Sequence, residues 1–77
     1  MVPIEFDYRK LRGRMVEKHG SVSAVAKMLG ISVGAMSSKL SNTSRIKTDE
    51  IYRLCQADCL DIPDEQIKSY FFTEKVR

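Results

Sequence analysis

Apolar positions recur along most of this chain at helical spacing. From residue 7 to about 19, Tyr8, Leu11, Met15 and Val16 form one stripe, with Arg9, Lys10, Arg14, Glu17 and Lys18 on the opposite face. Val22, Val25, Ala26 and Leu29 repeat the pattern at i, i+3, i+4 and i+7, and Met36 and Leu40 give a third segment its inward edge. A fourth segment carries Ile51, Leu54, Cys55 and Cys59, and ends through Leu60, Asp61 and Ile62 before Pro63. A short fifth, about 63 to 70, turns Ile67 inward, with Asp64 and Glu65 in its first turn.

The polar residues between these stripes are stop and start signals. Asp7, Ser21, Ser32 and Thr48 each precede a stripe, where a side-chain oxygen can accept from an early backbone N–H. His19 sits at a helix end beside Gly20. Gly30 suits a left-handed turn with Ile31 folding back in a Schellman contact, and Asn42 can end the third helix in the same way. The expected fold is all-α, a five-helix domain spanning residues 1–77. After residue 70 the run of Tyr70, Phe71 and Phe72, followed by Thr73 and Val76, favours an extended tail over 70–77. Those aromatics either close the domain's own core or, with Val76, form a dimer contact.

At 77 residues the chain has room for one core, burying about 60 to 65% of its unfolded surface. No apolar run is long enough to span a membrane and no signal peptide is visible, so the expectation is a cytoplasmic protein with no membrane association. Charge sharpens the picture through its distribution. Residues 1–20 carry +2, residues 21–48 carry +4 with no acid, and residues 49–77 carry −3, giving the formal +3. A basic pole thus coincides with the helix, glycine turn and helix of residues 21–42, a helix-turn-helix pattern suited to the DNA major groove, and a polyanion is the expected partner.

On that reading Val33, Gly34, Ser37, Ser38 and Ser41 are candidates for base readout. None offers the bidentate geometry of Arg with guanine or Gln with adenine, and so direct readout should be soft. Ser21, Ser23, Lys27, Lys39, Asn42, Thr43, Ser44, Arg45 and Lys47 are candidates for phosphate contact. The charged face of the first helix is either a solvated surface or a further source of phosphate contacts. No catalytic constellation can be assembled: there is one histidine, no phosphate-cradling glycine loop, and serines without a paired base, so no enzyme is expected. Cys55 and Cys59 lack two further ligands for zinc and are read as buried apolar side chains; no metal or cofactor is expected.

The stretches FDYRKLRGRMVEKHG, AVAKMLGIS with SSKLSN, TDEIYRLC and IPDEQIKSYFFTEKV resemble the small Cro-like repressors of temperate bacteriophages, which carry a lambda-repressor-like five-helix domain. The resemblance runs from Phe6 to Val76. It implies sequence-specific binding of a double-stranded DNA operator, usually as a homodimer, within a lysis–lysogeny switch in the host bacterial cell. It also admits, as the alternative, an antirepressor that binds the cognate phage repressor protein rather than, or in addition to, DNA. Two positions depart from that family: Thr43 stands where relatives often have glycine, and Met15 with Leu40 replaces an ion pair by an apolar contact.

Overall fold

The structure is a computed structural model describing residues 4–75. Its helices are α1 (Arg9–His19), α2 (Val22–Leu29), α3 (Val33–Leu40), α4 (Thr48–Leu54) and α5 (Ile67–Phe71), the last entered through a 3-10 turn at Asp64–Gln66. Each expected stripe supplies buried residues to one core. Leu11 and Met15 come from α1, Val25, Ala26 and Leu29 from α2, and Met36 and Leu40 from α3. Leu54, Cys59, Leu60, Ile62, Tyr70 and Phe71 close it from the other side. Met15 and Leu40 thus join the same apolar cluster, as their chemistry requires.

Capping chemistry sets the helix ends. Ser21 Oγ accepts from the Ala24 N–H at 3.1 Å and Ser32 Oγ from the Ala35 N–H at 3.0 Å. At the end of α2, Gly30 takes φ +74°, with Gly30 N–H bonded to Lys27 O and Ile31 N–H to Ala26 O, both at 3.0 Å. That pair of bonds is the Schellman motif. The end of α3 repeats it without glycine. Asn42 adopts φ +66°, and Thr43 N–H reaches Ser38 O at 2.8 Å. Only Asn42 needs the left-handed conformation, so threonine is accommodated after it.

Several boundaries differ from the sequence expectation. Val16 is 49% exposed and lies outside the core, while Tyr8 is half-buried. Asp7 sits one residue ahead of the α1 cap position and accepts from the Arg9 N–H at 3.0 Å. Thr48 is the first helical residue of α4 rather than its cap; Glu50 Oε1 accepts the Lys47 N–H at 2.8 Å instead. Most consequentially, α4 stops at Leu54 and does not continue through Cys59. On one helix, positions six apart point about 240° from each other, so Leu54 and Leu60 could not share a buried face. A turn, closed by Leu60 N–H to Leu54 O at 3.0 Å with Asp61 at φ +51°, lets Cys59, Leu60 and Ile62 all enter the core.

The extended tail expected over 70–77 is corrected at its aromatic part: Tyr70 and Phe71 belong to α5, and only the residues after Phe72 pair with the N-terminal arm. Asp7 N–H bonds Thr73 O at 2.7 Å and Lys75 N–H bonds Glu5 O at 2.8 Å, forming one antiparallel bridge between Phe6 and Glu74. Tyr70 and Phe71 are core residues, 8% and 1% exposed, and leave the set of dimer candidates because so small a chain uses them to close its own interior. Phe72 is 45% exposed and meets Phe6 edge-on at 5.7 Å. Val76 lies outside the described residues.

Candidate functional site: the face of the second and third helices

The pair α2 and α3, each of eight residues and joined by Gly30 to Ser32, presents the helix, turn and helix read from the sequence. With Met36 and Leu40 buried, the outward surface of α3 consists of Val33, Gly34, Ser37 and Ser41, all exposed, with Ser38 half-buried beside them. Val33 is 47% exposed, and Met28 of α2 is 36% exposed. The candidates for base readout therefore do share one surface. Its chemistry is small, weakly polar and apolar at the edge, without a charged or amide side chain on the exposed part of α3.

The phosphate candidates divide. Ser23, Lys27, Thr43, Ser44, Arg45 and Lys47 are exposed, whereas Ser21 is half-buried with its hydroxyl engaged as the α2 cap. Arg45 donates through Nη1 to the Ile4 carbonyl at 3.0 Å while staying exposed. Two others are turned inward and drop out. The Lys39 ammonium lies 3.2 Å from Glu50 Oε1 and donates to the Arg45 carbonyl at 3.0 Å, with only 11% of its side chain exposed. It ties α3 to α4 and the loop between them. Asn42 spends its whole amide on the arm: Oδ1 accepts the Phe6 N–H and Nδ2 donates to the Phe6 carbonyl, each at 2.9 Å. Nothing in the local sequence signals that contact, because the partners are 36 residues apart.

Three basic side chains elsewhere are structural in a way that periodicity could not reveal. Arg14 donates to the carbonyls of Leu60, at 2.9 Å, and Asp61, at 3.1 Å, and pairs with Glu17 at 2.7 Å, holding the turn after α4. His19 Nε2 donates to the Cys59 carbonyl in the same turn. Arg53 donates to the Met28 carbonyl at 2.7 Å, satisfying an orphan acceptor at the end of α2. Arg14 therefore belongs to neither of the two alternatives posed for the α1 charges. Cys55 is half-buried and Cys59 buried, and burial pushes both thiols above their usual range, so neither is an activated nucleophile. Among the described residues no helix is long and apolar enough to cross a membrane.

This fold and face define a small all-helical protein with a helix-turn-helix-like pair and a soft outer surface. The chain matches over residues 4–74 the family model described as "Protein of unknown function (DUF739)", and it belongs to that family. It is also similar to the modulator of repression of the temperate bacteriophage TP901-1 from Lactococcus lactis, known from a solution structure. The two share 33% sequence identity and superpose with a TM-score of 0.74, over 94% of this chain and 95% of that one. No curated protein matches the chain.

Proposed function

We propose that this chain is a regulator of the lysis–lysogeny switch of a temperate bacteriophage, working in the host cytoplasm as a modulator of repression that binds the phage repressor protein. The observation that carries this reading is the exposed face of α3. Val33, Gly34, Ser37 and Ser41 permit close approach of another protein's backbone and offer apolar contact, while none can read a base edge in bidentate fashion. The inward turn of Lys39 removes a cation from the end of that helix and further weakens a DNA-only reading. The likeness to a phage modulator of repression supports the same choice. No catalytic step is part of it.

Binding of an operator by the chain itself, as a Cro-like repressor, is the second reading, and a specific observation keeps it. Lys27 on α2 and Arg45 and Lys47 in the segment after α3 are exposed, and such cations can neutralise phosphates. A gel shift on the early promoter region of the phage, with the chain alone, the repressor alone and both together, separates the two. The expected result is no specific shift by the chain alone and a changed repressor shift when both are present. A specific shift by the chain alone would transfer the choice to the DNA-binding reading. In that case Arg45→Ala should weaken binding to all sequences and flatten the salt dependence by about one phosphate contact.

A further inference from the structure

Between the start of α1 and the end of α3 the surface opens into a groove of about 450 Å³. Arg9, Arg12 and Lys75 line it, and Asp7 is the one acid among them, which leaves the groove with a charge of +2. Asp7 is already committed to Arg9, whose Nη2 lies 2.8 Å from Oδ2 and whose Nε lies 3.1 Å from both carboxylate oxygens. Arg12, one helical turn further on, is exposed, as is Lys75 on the tail. Among the described residues neither has an ion-pair partner.

A neutral donor completes the wall. Tyr8 lines the groove, and its hydroxyl has no hydrogen-bond partner among the described residues; a phenol already keeps its proton at neutral pH, and burial pushes it higher still, so it is available as a donor. Leu40 and Phe6 are the apolar residues of its lining. A carboxylate carries one charge and offers its acceptor sites in a single plane, whereas a phosphate presents its oxygens in a tetrahedral array that donors from separate elements, Arg12 and Tyr8 at α1 and Lys75 on the tail, can meet together. A tetrahedral phosphate, with more acceptor oxygens, matches them.

The geometry points to a phosphate-binding groove between the start of α1 and the end of α3, formed by Arg12, Lys75 and Tyr8. The phosphate belongs either to the backbone of a nucleic acid or to a small free phosphate. Ser41 borders both this groove and the exposed end of α3, so a backbone lying along α3 would reach it. The site stands whether or not a repressor protein docks on α3.

The test is titration of the intact protein with inorganic phosphate, followed by amide chemical shifts at constant ionic strength with chloride as control. Saturable shifts are expected at Tyr8, Arg12 and Ser41. Arg12→Gln should raise the half-saturation concentration by about two- to fivefold, the range of one exposed ion pair. The double variant Arg12→Gln with Lys75→Gln should abolish saturation, and Lys18→Gln, on the same helix outside the groove, should leave it unchanged. A short random-sequence duplex that moves the same amides and competes with phosphate identifies a nucleic-acid backbone as the source; phosphate binding without such competition identifies a free phosphate. Linear drift without saturation, or unaltered binding in the double variant, overturns the site. So does displacement of phosphate by a short glutamate peptide at lower concentration than phosphate itself, since the groove would then prefer carboxylates.

Discussion

Lys39 and Glu50 meet at 3.2 Å with 11% and 13% of their side chains exposed, and Glu50 also accepts the Lys47 N–H. Removing the cation leaves a largely buried carboxylate and the Arg45 carbonyl without their partner. Lys39→Ala should therefore destabilise the fold by about 2 to 3 kcal/mol, read from the urea midpoint. A change within about 0.5 kcal/mol would place Lys39 among ordinary surface residues. Asp7 makes a different prediction. Its side-chain and backbone bonds with Arg9 hold the carboxyl at about 2, below the ordinary 3.8. Because the folded value is the lower one, the associated stability is present above about 3.8 and is lost as pH falls through about 2. Asp7 keeps 23% of its side chain exposed and its partner Arg9 90%, so solvent screens the pair, and the direct check is an NMR titration of the Asp7 carboxyl, expected to stay ionised at pH 3. At this scale the serine caps were legible, because capping is local. The partners of Lys39, Asn42, Arg14 and Arg53 were not, because each contact needs a second element to be in place.

Two glycines separate local geometry from packing at the scale of the element. Gly30 holds φ +74°, and a Cβ there would meet nothing within 4 Å. The cost of Gly30→Ala is therefore conformational alone, about 1 to 2 kcal/mol. Gly13 lies in the exposed interior of α1 with equally open space and no positive φ. Gly13→Ala should instead stabilise by about 0.5 to 1 kcal/mol. Opposite signs in thermal melts of the two variants are the expected outcome; a loss at both positions would refute the distinction. The stripes, caps and turn of the α2–Gly30–α3 unit were readable, since they are encoded within residues 21–42, while the inward engagement of Lys39 and Asn42 was not. The end of α4 was not. Its apolar spacing fits a longer helix, and only the need to bury Leu60 and Ile62 alongside Leu54 breaks it.

The described fold is closed by α5 and by the pairing of residues 5–7 with 73–75. Phe71 is 1% exposed, and Phe71→Ala should cost about 3 to 5 kcal/mol. That approaches the total stability of a domain this small, so the variant should be largely unfolded by circular dichroism at 37 °C. Retention of a cooperative melt near the parent's would mean that the core tolerates its loss. The arm and tail form a two-strand bridge that Asn42 and Arg45 anchor to the end of α3, through Phe6 and Ile4. The same convergence of chain ends creates the basic groove. Its residues come from positions 6–12, 40–42 and 75, and no local motif unites them.

By itself the sequence determined the all-helical class, the serine caps of α2 and α3, the helix-turn-helix-like pair, and the inward identity of Leu11, Met15, Met36 and Leu40, since these follow from periodicity and backbone chemistry within a few residues. It also determined the softness of the α3 surface, because glycine and serine carry their limited reach wherever they are placed. Tertiary structure alone decided which cations are free. It buried Lys39, assigned Arg14 and Arg53 to orphan carbonyls, and left Arg12 and Lys75 exposed beside one groove. A charge's availability depends on which acceptors the fold brings near it, and those acceptors come from parts of the chain far away in sequence.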